Sequence, residues 1–355
     1  MKIGIQISSS LENRTGVEEY IYQLLKHLPM VDDYKNHQFF IYGRKNLKWP
    51  FKFGWTQIRL SWEMLKNSPP LPKSWCGGKP DILFVPAHTY PLIHPGLVVA
   101  IQGLEFEAVP KMYGWLKRKI LRFLTKRNAK KVDKIIVPSL TTKNDLIKYY
   151  RINPNKIFVV YHGVDKPACN ASRLAMTGRY ILYLGSGHKR KNIEELKKAF
   201  KILKEKYPPA SPASPSAEQS KAVRAKRGGR GKIPHKLILA GTEGYVSEQE
   251  KWQLIKNADV FVYPSFYEGF GMPVLEAQKV GVPVVASNTG ALPEILGNSA
   301  LLVNPENPSE IAEAIYKIIK NPELRENLIR KGYENIKRFN WLNCAKETLR
   351  IISQN

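Results

Sequence analysis

Cysteine is nearly missing from this sequence. The 355 residues include only Cys76, Cys169 and Cys344, far apart and with no CxxC pair. That argues against a disulfide framework and a zinc site, and it fits a reducing cytoplasm. The seven histidines show neither HExxH nor HxxxH spacing, so no metal motif is expected. No window approaches the roughly 18 apolar residues that a spanning helix needs, and any bilayer contact is expected to be peripheral. The opening MKIGIQISSS lacks a long apolar core and reads as a strand rather than a signal peptide. Acidic residues are outnumbered, 30 Asp/Glu against 56 Lys/Arg, for a formal net charge of +26. A nucleic-acid-binding protein is the first account of such a charge. It is weakened by the lack of an aromatic-basic repeat of the RNA-recognition type, a helix-turn-helix signal or finger spacing.

What is present suits a globular chain. Apolar residues make up 43% and aromatics 10%, enough for a full core, and the length favours two domains. The charge excess extends over both halves and is densest from Lys111 to Lys134, where ten Lys/Arg face only Asp133. Within that stretch Leu116, Ile120, Phe123, Leu124 and Val132 recur near helical spacing, with Trp115 at the edge, and predict a basic amphipathic helix. Two compatible roles follow. The helix packs its apolar stripe on a sheet and leaves its cations in water, or it adsorbs to an anionic membrane, where each nearby Lys/Arg contributes about 1 kcal/mol. From Tyr207 to His235 the composition shifts to Pro, Ala, Ser and basic residues with hardly any apolar periodicity, so 207–235 is expected to be a disordered insertion.

Elsewhere short apolar runs alternate with amphipathic stretches, the βα rhythm of a parallel sheet covered by helices. Strands are expected at KIGIQI, Phe39 to Tyr42, Ile82 to Val85, Val98 to Gln102, Lys134 to Val137 and Ile157 to Val160. After the turn-rich HGVDKP the rhythm restarts with Tyr180 to Leu184, Leu237 to Ala240, Val260 to Tyr263, Val284 to Ala286 and Leu301 to Val303. The expected α/β architecture is therefore two tandem doubly wound, Rossmann-like parallel-sheet domains, 1–165 and 166–335. A helix in 336–355 follows, able to pack back on the first domain. Sheets of this kind bind ligands at their strand C-terminal ends, which predicts a site in an interdomain cleft.

Three segments at those strand ends have suitable chemistry. In LGSGHKRKNIEELKKAF, from Leu184, a strand runs into Gly185, then Arg190 and Lys191, and Asn192 with Glu195 resembles a capping box. Free backbone N–H groups and two cations would converge there on an anion such as a diphosphate; an ordinary capped surface helix explains the same residues. In LILAGTEGY the glycines Gly241 and Gly244 allow close backbone approach, or simply make the turn. The third segment, Pro264 to Glu276 (PSFYEGFGMPVLE), carries Gly269 and Gly271 in a loop and Pro273 in the first turn of a helix. The Phe270 to Met272 amides should be exposed, and Glu268 and Glu276 bracket the turn, placed to accept hydrogen bonds from vicinal sugar hydroxyls.

This last segment resembles the E-x7-E region of the family four retaining glycosyltransferases, the group 1 enzymes of GT-B fold. TGVEEYIYQLLKHL, VPSLTTKNDLIKYYRINPNKIFVVYHGVD and GRYILYLGSGHKRKN resemble the same family in order, over nearly the whole chain. The resemblance implies that Glu268 holds hydroxyls of the transferred sugar beside the Phe270, Gly271 and Met272 backbone. It implies that Glu276 holds the ribose, that Arg190 and Lys191 neutralise the leaving diphosphate, that Gly16 approaches the donor phosphates, and that Gly241 lies near the base. It also implies a front-face substitution with no metal and no cofactor, the nucleotide sugar, GDP- or UDP-linked, being a substrate.

Two positions depart from the family pattern. Where many relatives have a His-Asp pair this chain has Gln102 and Gly103, and Gln102 can hydrogen-bond a hydroxyl but cannot titrate. Ser186 stands where some relatives place an arginine. His88, in PAHTYPL, is a candidate for the acceptor side. The expected activity is transfer of a hexosyl group, mannosyl being one candidate, to a lipid-linked or polysaccharide acceptor at the cytoplasmic membrane face. A GT-B epimerase or hydrolase of nucleotide sugars is the alternative, because fold does not fix chemistry.

Overall fold

The computed structural model describes residues 1–7, 16–43, 60–65, 80–86, 90–165, 179–206 and 233–354. The short runs rich in Ile, Val, Leu and aromatics form strands: β1 (Lys2–Ile7), β2 (Gln38–Gly43), β3 (Ile82–Val85), β4 (Gly96–Ala100), β5 (Lys134–Val137), β6 (Ile157–Val159), β7 (Tyr180–Leu184), β8 (Lys236–Ala240), β9 (Val260–Tyr263), β10 (Val284–Ser287) and β11 (Leu301–Val303). The described helices are α1 (Gly16–His27), α2 (Leu60–Leu65), α3 (Glu105–Ala108), α4 (Trp115–Lys131), α5 (Leu140–Tyr150), α6 (Ile193–Lys206), α7 (Glu248–Lys256), α8 (Met272–Lys279), α9 (Leu292–Leu296), α10 (Pro308–Lys320), α11 (Pro322–Asn335) and α12 (Trp341–Ser353).

The strands make two all-parallel sheets, in the orders β2-β1-β3-β4-β5-β6 and β11-β10-β9-β7-β8. Both orders reverse beside their first strand, so each sheet has a switch point, between β1 and β3 and between β7 and β9, where loops diverge and leave room for a ligand. The chain divides into two compact units. Unit 1 comprises Met1–Asp165, Glu268–Met272 and Arg338–Asn355; unit 2 comprises Lys166–Tyr267 and Pro273–Lys337.

Unit 1 has apolar layers on both faces of its sheet. On one, Leu83, Val85, Val99 and Ile135 pack with Leu146 and Tyr150 of α5. On the other, Ile3, Ile5 and Phe84 pack with Tyr20, Ile21 and Leu24 of α1 and with Trp341, Cys344, Leu349 and Ile352 of α12. Asn340 caps α12 through the Asn343 N–H at 3.1 Å, and Lys134 Nζ donates to the Ile351 carbonyl at 3.0 Å. Burial pushes the Cys344 thiol up to about 12, so it stays protonated and inert.

α4 departs from the sequence expectation. Leu116, Ile120 and Phe123 face solvent, and the helix packs instead through Thr125, Asn128 and Ala129. The physical reason is Glu107. Its buried carboxylate pairs with Arg118 (3.3 Å) and Arg122 (3.2 Å), which stay partly in solvent, and accepts from Tyr150 OH (3.1 Å), so these pairings hold that side of the helix against the unit. Burial, and then the Glu107 charge, hold the Tyr150 phenol far above the ordinary tyrosine range.

Unit 2 is built around β7, β9 and β10, covered by Leu196, Ala199 and Leu203 of α6 and by Ile311, Ile315 and Ile318 of α10. Most of the 207–235 segment, 207–232, lies outside the described residues. Of its last three residues, Ile233 and His235 are packed rather than loose: Ile233 fills the core and its carbonyl accepts from Lys204 Nζ at 2.9 Å, and buried His235 meets Asp259 at 3.0 Å, with Pro234 exposed between them. Burial opposes the Asp259 charge, but the His235 hydrogen bond and the nearby arginines hold its carboxyl below the usual range.

Candidate functional site

In unit 2, β7 ends at Leu184 and the chain turns through His188, whose Nδ1 accepts from the Arg190 N–H at 3.3 Å. Asn192 then takes a left-handed conformation (φ 63°) that asparagine tolerates better than most residues. Its side chain ties loops together. Nδ2 donates to the Pro264 and Pro305 carbonyls at 3.0 and 2.7 Å, locking the β7 loop to the loops after β9 and β11. Phe266 N–H donates to the Arg190 carbonyl (2.9 Å), and Arg190 Nη1 donates to the Tyr267 carbonyl (3.2 Å). The two cations therefore sit on a braced loop, differently disposed. Lys191 is only 8% exposed, donating to Tyr263 OH at 2.6 Å with its ammonium 4.9 Å from that ring. Arg190 lies along the β9 loop and is half-buried.

At the neighbouring strand end Gly241 has φ 79°, and a Cβ there would come 3.2 Å from the Gly185 carbonyl. The ends of β7 and β8 thus touch through glycine backbone, a surface over which a flat ligand can lie close. Glu276, on α8, accepts from Lys251 Nζ of α7 at 2.6 Å, and Lys251 also meets Glu248 at 2.9 Å. Burial works against the Lys251 charge, but Glu276 and Glu248 more than offset it and hold its pKa above the ordinary lysine value. Lys251 was invisible in the sequence, because an amphipathic helix with exposed lysines looks the same whether or not one of them folds back onto a carboxylate.

Unit 1 holds Glu268–Met272, residues that the sequence reading assigns to the second domain. Ser139, the N-cap of α5, accepts from Thr142 N–H at 3.1 Å and donates to the Gly269 carbonyl at 2.7 Å, with Thr142 Oγ1 at 3.4 Å from the same carbonyl. Gly269 is pressed on Gln102 so closely that a Cβ would lie 1.9 Å from the Gln102 carbonyl oxygen. Only glycine fits. Gly271 has φ 107°, another conformation that side chains resist. Gly16, at the start of α1, lies beside Met272, whose Cε would be 4.0 Å from a Cβ there. Gly16, Gln102 and Glu268–Met272 are thus gathered in one unit.

Phe270 anchors that loop from below. Its ring lies 4.7 Å from His162, which stacks at 4.7 Å on Tyr20 and at 5.6 Å on Trp341. Burial lowers the His162 pKa to about 3, so the imidazole is a neutral stacking ring at ordinary pH. Glu268 is 7% exposed. Ser139 and His162 were not singled out in the sequence; the Ser-Leu-Thr-Thr start of a helix was the available signal for the first, and the HGVDKP turn for the second. His88 lies outside the described residues.

Two doubly wound parallel sheets, with glycine loops, cations and glutamates at their strand ends, define an α/β protein of the GT-B class. The glycosyl transferases group 1 profile matches residues 241–335, and the glycosyltransferase family 4 profile matches residues 14–166. Between them these take in most of the chain, which belongs to the group 1 glycosyltransferases. Among its relatives, the O-antigen chain mannosyltransferase B of Escherichia coli is 34% identical over 52% of this chain and 48% of its own length. The chain thus aligns with about half of that protein. The O-antigen chain mannosyltransferase RfbU of Salmonella typhimurium is 26% identical over 76% of this chain and 75% of its own. The structure of Anabaena Alr3699/HepE in complex with UDP and glucose superposes with a TM-score of 0.67 at 14% identity, covering all of both chains.

Proposed function

We propose that this chain transfers a hexosyl group, mannose being the favoured candidate, from a nucleotide-diphosphate sugar to a lipid-linked or polysaccharide acceptor, with retention at the anomeric carbon. The observation that carries this reading is the Pro264 to Glu276 segment, with Arg190 hydrogen-bonded to it and Glu268 and Glu276 on it. Two relatives whose names specify mannosyl transfer support the sugar. Glu268 accepts hydrogen bonds from hydroxyls of the transferred sugar. Glu276 takes the ribose hydroxyls, oriented by Lys251. Arg190 and Lys191 oppose the charge that grows on the departing diphosphate, the largest catalytic contribution in this scheme and the work that a metal ion does elsewhere.

In the reaction the anomeric carbon–phosphate oxygen bond breaks as the acceptor oxygen bonds to the same face of that carbon. The acceptor proton passes to the departing phosphate. Gln102 fits this assignment because it orients a hydroxyl without having to take its proton. No helix among the described residues is long and apolar enough to cross a membrane; a lipid-linked acceptor at the cytoplasmic face would be met from the membrane surface.

Incubation with UDP- and GDP-sugars and membrane extract should give a donor-dependent product that survives EDTA; no product from any donor would sink the proposal. Glu268→Ala should lower kcat/KM about 100-fold while the protein stays folded. An unchanged value would remove Glu268 from the site.

A further inference from the structure

At about 100° per residue, Trp115, Leu116, Ile120 and Phe123 of α4 fall on one side of the helix, and Leu121, Thr125, Asn128 and Ala129 fall on the other. The second group packs on the unit 1 core, and the first is 71, 57, 51 and 66% exposed. Lys119, Lys126 and Lys130 share the outward side and are themselves exposed, Lys119 Nζ standing 5.1 Å from the Trp115 ring centroid. Beyond this helix, Ser61 Oγ accepts from the Leu92 and Ile93 N–H groups at 2.7 and 3.3 Å. This draws together a second apolar group, Trp62, Leu92 and Ile93, each 44–60% exposed. A contiguous apolar stripe on a soluble surface marks something that covers it.

We propose that the outward face of α4 docks on an anionic bilayer, with Trp115, Leu116, Ile120 and Phe123 entering the headgroup–acyl boundary and Lys119, Lys126 and Lys130 lying against acidic headgroups. The charge pattern selects this occupant. A second copy of the chain would bring two lysine-bordered faces together, whereas anionic headgroups neutralise them. Apolar residues flanked by lysines also suit the depth to which interfacial helices sink, with long basic side chains reaching back to the headgroups. The docking rests on the membrane-borne acceptor proposed above for its purpose, but not for its evidence.

The test is sedimentation of the purified full chain with vesicles of phosphatidylcholine, alone or mixed with phosphatidylglycerol. Binding is expected to the mixed vesicles, to weaken with salt, and to leave the neutral vesicles nearly free of protein. Ile120→Asp with Phe123→Asp should weaken it roughly tenfold or more, and Lys119→Gln, Lys126→Gln and Lys130→Gln together roughly 100-fold. All of these side chains are exposed, so the variants should melt with the wild type; should the aspartate variant not fold, the glutamine variant decides. Equal binding to both vesicle types, no binding, or variants that bind like wild type would overturn the proposal. So would a lipid-free dimer that the aspartate pair converts to monomer. A chain that forms product on a soluble acceptor yet ignores vesicles loses only the docking; one that binds vesicles as expected but never consumes a donor loses only the catalytic reading.

Discussion

The two units share one construction and differ in what they do with apolar surface. Unit 2 hides it: among its described residues the large apolar side chains left exposed are Tyr245 and Tyr333, each with a hydroxyl. Unit 1 leaves out Trp62, Leu92, Ile93, Trp115, Leu116, Ile120 and Phe123, besides Met1, Met30, Leu140 and Leu342. Both have full cores, so the difference does not come from a shortage of space inside. It lies in where unit 1 places its outward helix face, the surface for which docking is proposed above.

The largest expected effect contrasts the two directly. Ile315, fully buried in unit 2, changed to alanine should cost about 2–5 kcal/mol in denaturant unfolding, since transfer and cavity costs add. A smaller loss would mean that the unit 2 core relaxes around the gap. Next comes Gly269→Ala. Its Cβ would collide with the Gln102 carbonyl, so the loop must shift, and kcat/KM should fall about 100-fold. If turnover is unchanged, the contact is incidental to the placing of Glu268.

His162 gives unit 1 a pH dependence of its own. Its pKa is lowered from 6.5 to about 3 in the folded chain, so between those values the unfolded chain binds a proton that the folded chain refuses. This group's contribution is therefore intact above the unfolded value and is lost as pH falls from about 6.5 toward 3, at up to about 1.4 kcal/mol per pH unit. His162→Phe, which keeps a ring in the stack, should flatten that part of the stability profile. Parallel wild-type and variant profiles would show that burial is not what shifts the group. The smallest effect belongs to the exposed stripe: Phe123→Ala should change stability by less than about 0.5 kcal/mol, measured by thermal melting. A larger loss would mean that Phe123 is covered in solution, and the contrast between the units would narrow.

The strands were the most legible part of the fold. Buried parallel strands read as unbroken β-branched runs, and Ile82–Val85, Lys134–Val137, Tyr180–Leu184, Val260–Tyr263 and Leu301–Val303 fall where those runs predict. β4 lies two residues earlier than its apolar run suggests, at Gly96–Ala100, because pairing with Ile82–Val85 sets where its ladder starts. For α4 the periodicity correctly gave a helix with an apolar side but not the direction of that side, which depended on the buried Glu107. The Pro264 to Glu276 segment was legible as chemistry, since glutamates and glycines at a strand end are local facts. The supports of its neighbourhood, Lys251 under Glu276 and Ser139 on Gly269, were not, because these partners lie far apart along the chain.

By itself, then, the sequence determined the alternation of strands and helices, the α/β class and the loops that carry the glutamates and cations, because periodicity, turn residues and charge are properties of neighbours along the chain. Only the tertiary structure decided that Glu268–Met272 groups with unit 1, that Asn192 ties three loops together, and that α4 turns its aromatic stripe outward. Those outcomes depend on which strands lie side by side and on where a buried carboxylate draws its arginines, and no local window contains that information.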